Sequence, residues 1–316
     1  MAEAARRDAR RMRFLLCLIF LRLQHLQSNV FHIRSAMLYG FKQPPEPIML
    51  ESLKALLLGI IEGITEFLPI SSTVHLIIAE RWLGHRSDLF NIAIQAGAIL
   101  AVVVIYRRRL WDLATRFFTD ATARTYTLKL GVAFVVTAAL GIAVKKMGFE
   151  LPEEVRPIAW ALLIGAIWMV VAEAIASRRA AKLGEQTEIS WLTAVLVGVA
   201  QVVAGVFPGT SRSASTIFVA LLAGTTSRPA ATEFAFLVGI PTMFAATGYE
   251  LLDVVASGQA AHENWSSLAI AFVASMVTAF VAVKWLLRYI ETHNFNGFAA
   301  YRVVLAVALL ALIPAV

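Results

Sequence analysis

Two pairs of apolar segments in this chain are each broken by a proline, and their members are short for helices that cross a bilayer. The first pair is 51–68 and 70–83, around Pro69, and the second pair is 190–207 and 210–224, around Pro208. A membrane-spanning helix needs roughly 20 apolar residues. Interrupted segments occur at membrane depth only where protein or a cavity surrounds them. We therefore predict two re-entrant hairpins, each made of a broken helix.

Six further apolar segments have the length of membrane spans. They are residues 89–106, 128–144, 157–176, 230–250, 267–287 and 299–316. Charged residues make up only 16% of the chain and the mean hydropathy is +0.72, whereas about one-quarter of a soluble domain is charged. The predicted fold class is an all-α integral membrane protein that crosses the membrane several times.

Positive charge is concentrated ahead of the first apolar pair. Residues 1–48 carry eight Lys or Arg and three Asp or Glu, which is +5 of the net +7, so the remainder is nearly neutral and nucleic acid is not an expected partner. Residues 6–21 resemble the basic and apolar regions of a signal peptide, but no A-x-A cleavage site follows. We interpret residues 1–48 as a disordered extension or an over-called start, and residues 49–316 as the membrane domain.

The two hairpins belong to an internal repeat. A shift of 139 residues places Glu62 on Gln201 and Ser72 on Ser211, and the spans that follow obey the same shift. The halves of the repeat are about 50–180 and 189–316. Each half contains one hairpin and three spans, and this odd number of crossings inverts the second half in the membrane. In such inverted repeats the broken helices meet near the midplane and form the site.

Basic loops predict the orientation of the repeat. The loop that begins with Arg107, Arg108 and Arg109 carries further basic residues, whereas the acidic side chains of loop 145–156 dilute its lysines. The positive-inside rule makes the Arg107 side cytoplasmic. The first hairpin, and a site built on it, would then open outward.

Glu62 and Glu66 are the acidic residues of the first hairpin. They lie one helical turn apart and share a face. Burying one charge in hydrocarbon costs several kcal/mol and a second like charge costs more, so a cation, a proton or a water-filled cavity must compensate. The polar side chains that follow the break are those of Ser71, Ser72, Thr73 and His75.

The second hairpin carries the segment PGTSRSAST, residues 208–216. A helix that starts after Pro208 and Gly209 presents free backbone N–H groups and the positive end of its dipole, which together favour an anion. Arg212 indicates phosphate, because its planar guanidinium binds phosphate through two hydrogen bonds. The candidate substrate-binding residues are Ser71, Thr73, Gln201, Thr210, Ser211, Ser213 and Thr216.

Acids for a metal, an arginine for a phosphate and a hydroxyl or base are the components of phosphoryl transfer. Each residue also has a structural interpretation. Serines and threonines can serve helix packing, His75 can be a hydrogen-bonded helix residue, and Gln95, Glu173 and Glu233 can bond to neighbouring groups. The combination of two intramembrane acids and one intramembrane arginine in equivalent hairpins is costly to keep for packing alone.

The segments EGITEFLPISSTVH (62–75) and PGTSRSAST (208–216) resemble the two signature segments of the bacterial undecaprenyl-pyrophosphate phosphatase family of the bacitracin-resistance type. The similarity extends over about residues 50–316. Two positions depart from the family pattern, since Val74 and Ala214 each replace a glycine. The resemblance implies a multi-pass enzyme of the bacterial inner membrane with its active site facing outward, and a homodimer is compatible with it.

The implied reaction is hydrolysis of undecaprenyl pyrophosphate to undecaprenyl phosphate and phosphate with Mg²⁺ or Ca²⁺, which recycles the carrier lipid of peptidoglycan synthesis. Glu62 and Glu66 would hold the metal, or one of them would act as base. Arg212 would neutralise the pyrophosphate, Ser72 or a metal-bound water would attack, and His75 would protonate the leaving group or position the attacking group. The alternative function is a transporter or lipid flippase, because inverted repeats with broken helices are also the plan of transporters.

Overall fold

The computed structural model describes residues 48–147, 155–258 and 263–312, and all regular structure in these ranges is helical. The predicted extension 1–48 lies outside the described residues except for Ile48. Eleven helices occur in these ranges: α1 (Ile48–Thr65), α2 (Ser72–Leu83), α3 (Asp88–Ile105), α4 (Arg107–Thr115), α5 (Ala121–Lys146), α6 (Val155–Leu183), α7 (Trp191–Val206), α8 (Arg212–Ala223), α9 (Arg228–Ala256), α10 (Trp265–Thr292) and α11 (Asn296–Leu312).

Five of these helices, α3, α5, α6, α9 and α10, are long and apolar enough to cross a membrane. The prediction of an all-α protein with several membrane spans is confirmed to that extent. The sixth predicted span corresponds to α11, which is apolar but has only 17 described residues. Helix α4 was not among the predicted segments, because its sequence RRRLWDLAT is polar.

Local sequence signals explain where several helices begin. Ser87, Ser190 and Ser227 cap α3, α7 and α9, and each side-chain oxygen accepts a hydrogen bond from a backbone N–H in the first turn. Asp120 caps α5 in the same way. The backbone N–H groups of Thr122 and Ala123 donate to its carboxylate and thereby lower the pKa of Asp120.

The first helix of each predicted hairpin packs against a span of the other half through a glycine. A Cβ atom on Gly59 of α1 would lie 2.2 Å from the backbone oxygen of Ala271 in α10, and one on Gly198 of α7 would lie 2.6 Å from that of Ala133 in α5. Backbones can approach this closely only where the residue is small. The two first helices are therefore held by the same kind of close contact.

The two breaks share an unusual backbone conformation. Helix α1 ends at Thr65 and α7 ends at Val206, and the serine before each following helix, Ser71 or Ser211, has φ 70. Within the described ranges these two are the non-glycine residues with positive φ. Such a conformation costs about 1–3 kcal/mol at a non-glycine residue and persists where the surroundings impose it. The two breaks are thus alike in backbone as well as in sequence.

The register of the repeat differs by one residue from the prediction. Ser71 and Ser211 occupy equivalent cap positions, so the offset there is 140, whereas Gly59 and Gly198 are 139 residues apart. The prediction that Ser72 corresponds to Ser211 is therefore wrong at the helix starts. The second copy has one additional residue between its close-packed glycine and its cap, and Ser72 corresponds to Arg212.

We predict that Gly59→Ala and Gly198→Ala each destabilise the protein, because the new methyl group meets a backbone oxygen that cannot move aside. Overpacking of this kind typically costs about 1–3 kcal/mol. The matched control is Gly131→Ala on α5, where a Cβ would meet nothing within 4 Å. The measurement is the midpoint temperature of unfolding in detergent, and equal midpoints for Gly59→Ala and Gly131→Ala would contradict the close approach.

Candidate active site

A polar cavity of about 350 Å³ lies between the two breaks. Both breaks and the helix starts that follow them line it. The first contributes Glu66, Ser71, Ser72 and Thr73, and the second contributes Pro208, Gly209, Ser211 and Arg212. The two hairpins that the sequence singled out therefore enclose one common space.

Three residues from the middle of long helices complete the polar wall of the cavity. They are Gln95 of α3, Thr137 of α5 and Thr242 of α9. Each of these helices is long enough to span a membrane. The cavity therefore lies near mid-height of the bundle rather than at either end.

Glu66 lines this cavity and contacts residues of both hairpins. The hydroxyl of Ser72 donates a 2.6 Å hydrogen bond to Glu66 Oε2, and Nη2 of Arg212 donates to Glu66 Oε1. Arg212 also reaches Oε1 of Gln95 at 3.4 Å, and its side chain remains 27% exposed. A hydroxyl beside a carboxylate is the geometry of a nucleophile and its base. A partly exposed guanidinium next to them can bind an anion in the cavity.

Glu62 lies one turn before Glu66 and is fully buried. Neither oxygen of its carboxyl accepts a hydrogen bond from a donor among the described residues, and the charges that act on it are those of Glu66 and Arg212. Two ionised acids and one arginine would leave one negative charge uncompensated in an apolar region, which is costly. Glu62 is therefore placed to hold a proton or to help hold a cation.

The predicted substrate-binding residues fall into two groups. Ser71, Thr73, Gln201 and Ser211 line the cavity. The other three donate to backbone carbonyls: Ser213 Oγ to that of Leu68 at 3.2 Å, Thr210 Oγ1 to that of Phe207 at 2.7 Å and, within α8, Thr216 Oγ1 to that of Arg212 at 2.8 Å. These last three hydroxyls stabilise backbone rather than face the cavity.

His75 is not brought to the cavity. Its Nδ1 lies 2.7 Å from the Ser71 carbonyl oxygen and its Nε2 lies 2.7 Å from the hydroxyl of Tyr301, on whose ring the imidazole stacks. A neutral imidazole satisfies both contacts when Nδ1–H donates to the carbonyl and Nε2 accepts from Tyr301. His75 thus connects the first break to α11, and the structure does not place it beside Ser72 as an acid.

Several residues at or near the cavity were not predicted from the sequence. Gln95 had a structural interpretation, and Thr137 and Thr242 were not singled out, because single polar residues in apolar helices have no motif around them. Arg302, a fully buried arginine in α11, was not predicted either. Its presence within the apolar segment 299–316 could have indicated a role, because a charged residue inside a membrane segment is costly.

The other two acids that the sequence raised form ion pairs away from the cavity. Glu173 forms an ion pair with Arg228, and Glu233 pairs with Arg109 at 3.0 Å. None of these four residues lines the cavity between the breaks. The contacts therefore support a structural role for Glu173 and Glu233, namely ion pairing between helices.

The donor set for a metal is small. Among the described residues there is no group of three or more His, Cys, Asp or Glu that could hold an ion. Mg²⁺ is usually bound through one or two carboxylates together with substrate phosphates and water. The pair Glu62 and Glu66 fits that mode, since both oxygens of Glu62 lack a donor partner.

The fold and the cavity define a polytopic helical membrane protein with a central polar site. Its sequence is similar to those of one known family. The family described as bacitracin resistance protein BacA matches residues 55–308. A relative from Rhizobium etli (strain CIAT 652), named undecaprenyl-diphosphatase, is 64% identical over 261 residues, covering 83% of this chain and 97% of the relative. A relative of the same name from Xanthomonas euvesicatoria pv. vesicatoria (strain 85-10) is 59% identical over 267 residues, covering 84% and 99%. The chain belongs to the BacA family, as its sequence segments predicted.

Proposed function

We propose that this protein hydrolyses undecaprenyl pyrophosphate to undecaprenyl phosphate and inorganic phosphate. The observation that carries the proposal is the chain of contacts from Ser72 through Glu66 to Arg212 inside the cavity. The names of the relatives support the same substrate. In the cell this reaction would return the carrier lipid to peptidoglycan synthesis and protect against bacitracin.

A transporter or flippase is the less favoured function. It would account for broken helices near mid-height and for a buried acid, because both occur in transporters. It would not account for a serine hydroxyl bonded to a carboxylate that is itself bonded to an arginine. The family membership also supports hydrolysis.

The proposed reaction begins with attack of the Ser72 oxygen on the terminal phosphorus. Glu66 Oε2, which already accepts the hydroxyl hydrogen bond, takes the proton. The new Ser72 O–P bond forms as the bridging P–O bond of the pyrophosphate breaks, and undecaprenyl phosphate leaves. Water then attacks the phosphoserine phosphorus, the Ser72 O–P bond breaks, inorganic phosphate leaves with both protons of the water, and Glu66 returns its proton to Ser72.

The leaving group needs no protein acid in this scheme. A phosphate monoester has a second pKa near 6, so the departing lipid phosphate can leave as an anion. Arg212 and the free N–H groups at the starts of α2 and α8 would stabilise the charge on the phosphoryl oxygens. His75 would then position the first break through its contact with Ser71 rather than take part in proton transfer.

Glu62 and Glu66 are the residues that would hold a divalent cation, Mg²⁺ or Ca²⁺. When bound, the ion would neutralise charge on the pyrophosphate oxygens. Glu62 lies behind Glu66 with both oxygens free of donors.

The isoprenoid tail would lie in an apolar groove of about 530 Å³ formed by α6, α7 and α8. The groove and the polar cavity lie on adjoining faces of α7, since Val203 lines the groove and the next residue, Ala204, lines the cavity. Thr210 and Ser211 mark the same junction at the second break. A lipid whose pyrophosphate lies in the cavity could therefore extend its tail along the groove.

The inverted repeat and the outward orientation are part of the proposal. The like conformation of Ser71 and Ser211, and the reciprocal packing of Gly59 and Gly198, support two equivalent halves. The basic loop that begins at Arg107 supports a cytoplasmic position for that end of the bundle. The two hairpins would then enter from opposite faces and meet in the cavity.

We expect the purified protein to release phosphate from a polyprenyl pyrophosphate in the presence of Mg²⁺ or Ca²⁺. Glu62→Gln, Glu66→Gln and Ser72→Ala should each lower kcat by about 10²–10⁴-fold, because each removes an acid–base, electrostatic or nucleophilic group. Glu185→Gln and Ser266→Ala, both on exposed residues, are the matched controls.

Wild-type protein that releases no phosphate would overturn the proposed function. A Ser72→Ala variant that keeps a tenth of wild-type turnover, a barrier change of about 1.4 kcal/mol, would exclude the serine as nucleophile. Attack by water would then replace the serine step, and Glu66 would remain its base.

The orientation can be tested by labelling single cysteines in intact cells. Cys17 is the only cysteine of the chain, so a Cys17→Ser background has none. We expect a membrane-impermeant thiol reagent to label Met147→Cys and not Arg108→Cys, because the positive-inside rule places the Arg107 loop in the cytoplasm. The reverse labelling pattern would invert the proposed orientation of the site.

The tail groove predicts a difference between long and short substrates. Val203→Trp should raise KM for a polyprenyl pyrophosphate and leave KM for a short-chain isoprenyl pyrophosphate nearly unchanged, because the indole fills the groove and not the cavity. Val195→Trp, on the same helix outside the groove, is the control. Equal effects on both substrates would remove the groove from the substrate path.

A further inference from the structure

Arg302 is the largest side chain that is fully buried in the described part of the chain. No carboxylate among the described residues forms a salt bridge with it. Its guanidinium donates instead to backbone carbonyl oxygens at 2.8 to 3.5 Å. The acceptors are the carbonyls of Pro69, Ala161, Leu162, Gly209 and Thr210.

These carbonyls come from three separate places. Pro69 belongs to the first break, Gly209 and Thr210 belong to the second, and Ala161 and Leu162 belong to α6. A helix that stops leaves its last carbonyls without an intrahelical partner, and a residue in a break has none of its own. Arginine has five N–H donors fixed in one plane, so a single side chain can serve several such carbonyls at once.

The breaks lead directly to the reactive groups. Pro69 precedes Ser72 by three residues, and Thr210 precedes Arg212 by two. Both helix starts pass through a serine held at φ 70. A side chain that fixes the carbonyls of both breaks therefore fixes the position of Ser72 relative to Arg212, although it touches neither.

A glycine makes room for this guanidinium. A Cβ on Gly165 of α6 would lie 2.1 Å from Nη2 and 3.0 Å from Cζ of Arg302, and 3.6 Å from the Thr210 carbonyl oxygen. The guanidinium could yield only by giving up hydrogen bonds to the breaks. Gly165 is therefore part of the same arrangement.

We propose that Arg302 is a positioning residue which ties the two breaks together through their backbone carbonyls, and that Gly165 provides the space this requires. The role rests on the proposed function, because it serves the reaction of Ser72 and Arg212. Lysine cannot replace it, because an ammonium is a point charge with three donors and lacks the planar fork. A positive charge alone at this position is therefore not sufficient to hold the carbonyls of both breaks.

The first part of the test is kinetic. Arg302→Lys should lower kcat for phosphate release by about 10²-fold, the typical cost of a misplacement near 1 Å, with a much smaller change in KM. Gly165→Ala, which keeps Arg302, should lower kcat in the same way. Gly141→Ala is the matched control, since a Cβ there would meet nothing within 4 Å.

The two substitutions should not act independently. In the Arg302→Lys background, Gly165→Ala should cost little further activity, because the contact that it disturbs is already lost. Losses that multiply in the double variant would mean that Gly165 serves packing alone, and this would overturn its part of the proposal.

The second part of the test does not depend on catalysis. Spin labels at Ile64→Cys and Phe207→Cys, two partly exposed positions at the ends of α1 and α7, report the distance between the breaks in a Cys17→Ser background. Arg302→Lys and Gly165→Ala should broaden or shift this distance, and Gly141→Ala should not. If Arg302→Lys does not fold, Gly165→Ala still gives both measurements.

Near wild-type kcat with an unchanged label distance would overturn the proposal. A large loss of kcat with an unchanged distance would also overturn it, because Arg302 would then act on the substrate rather than on the breaks. Wild-type protein without phosphatase activity would remove the proposed reaction instead. The label distances would in that case still decide whether Arg302 holds the two breaks together.

Discussion

The requirement that every buried backbone polar group has a partner governs this protein, because two of its helices stop inside an apolar bundle. An unsatisfied group in hydrocarbon costs several kcal/mol, and bulk water is not at hand to offset it. Side chains serve the freed carbonyls here. Arg302 bonds to those of Pro69, Gly209 and Thr210, and Ser213 bonds to that of Leu68. The breaks can therefore face a cavity without losing their shape.

The same solution gives Arg212 and Arg302 different roles. Arg302 is fully buried and donates its hydrogen bonds to backbone carbonyls, so it forms no ion pair with Glu62 or Glu66. Arg212 is paired with Glu66 and keeps part of its guanidinium in the cavity. Glu62 has no such donor. The charge imbalance is thus concentrated on the buried carboxyl of Glu62, one turn from the cavity wall, where a proton or a cation can correct it.

Composition and hydrophobic length were sufficient to predict the long apolar helices, because membrane spans are read directly from long apolar segments, whereas the polar helix α4 gave no such signal. That Glu66, Ser72 and Arg212 lie together at one cavity could also be predicted, because the two broken hairpins were expected to meet. Their roles in the reaction, and that of Glu62, stay predictions. The contact of His75 with Tyr301 could not be predicted, because the two residues are 226 positions apart in the chain. The one-residue change of register was hidden as well, since serines occur at several adjacent positions of both breaks.

The corrected register explains how two similar hairpins can make one asymmetric site. Ser72 and Arg212 are both the first residue of a helix, and each follows a serine with φ 70. The two breaks therefore place similar positions beside one cavity, with a hydroxyl in the first break and a guanidinium in the second. Two hydroxyls would leave a pyrophosphate without a cation, and two guanidiniums would leave it without an attacking oxygen. In the proposed reaction the difference at this pair of positions supplies both, while Arg302 holds the backbone frame in which they face each other.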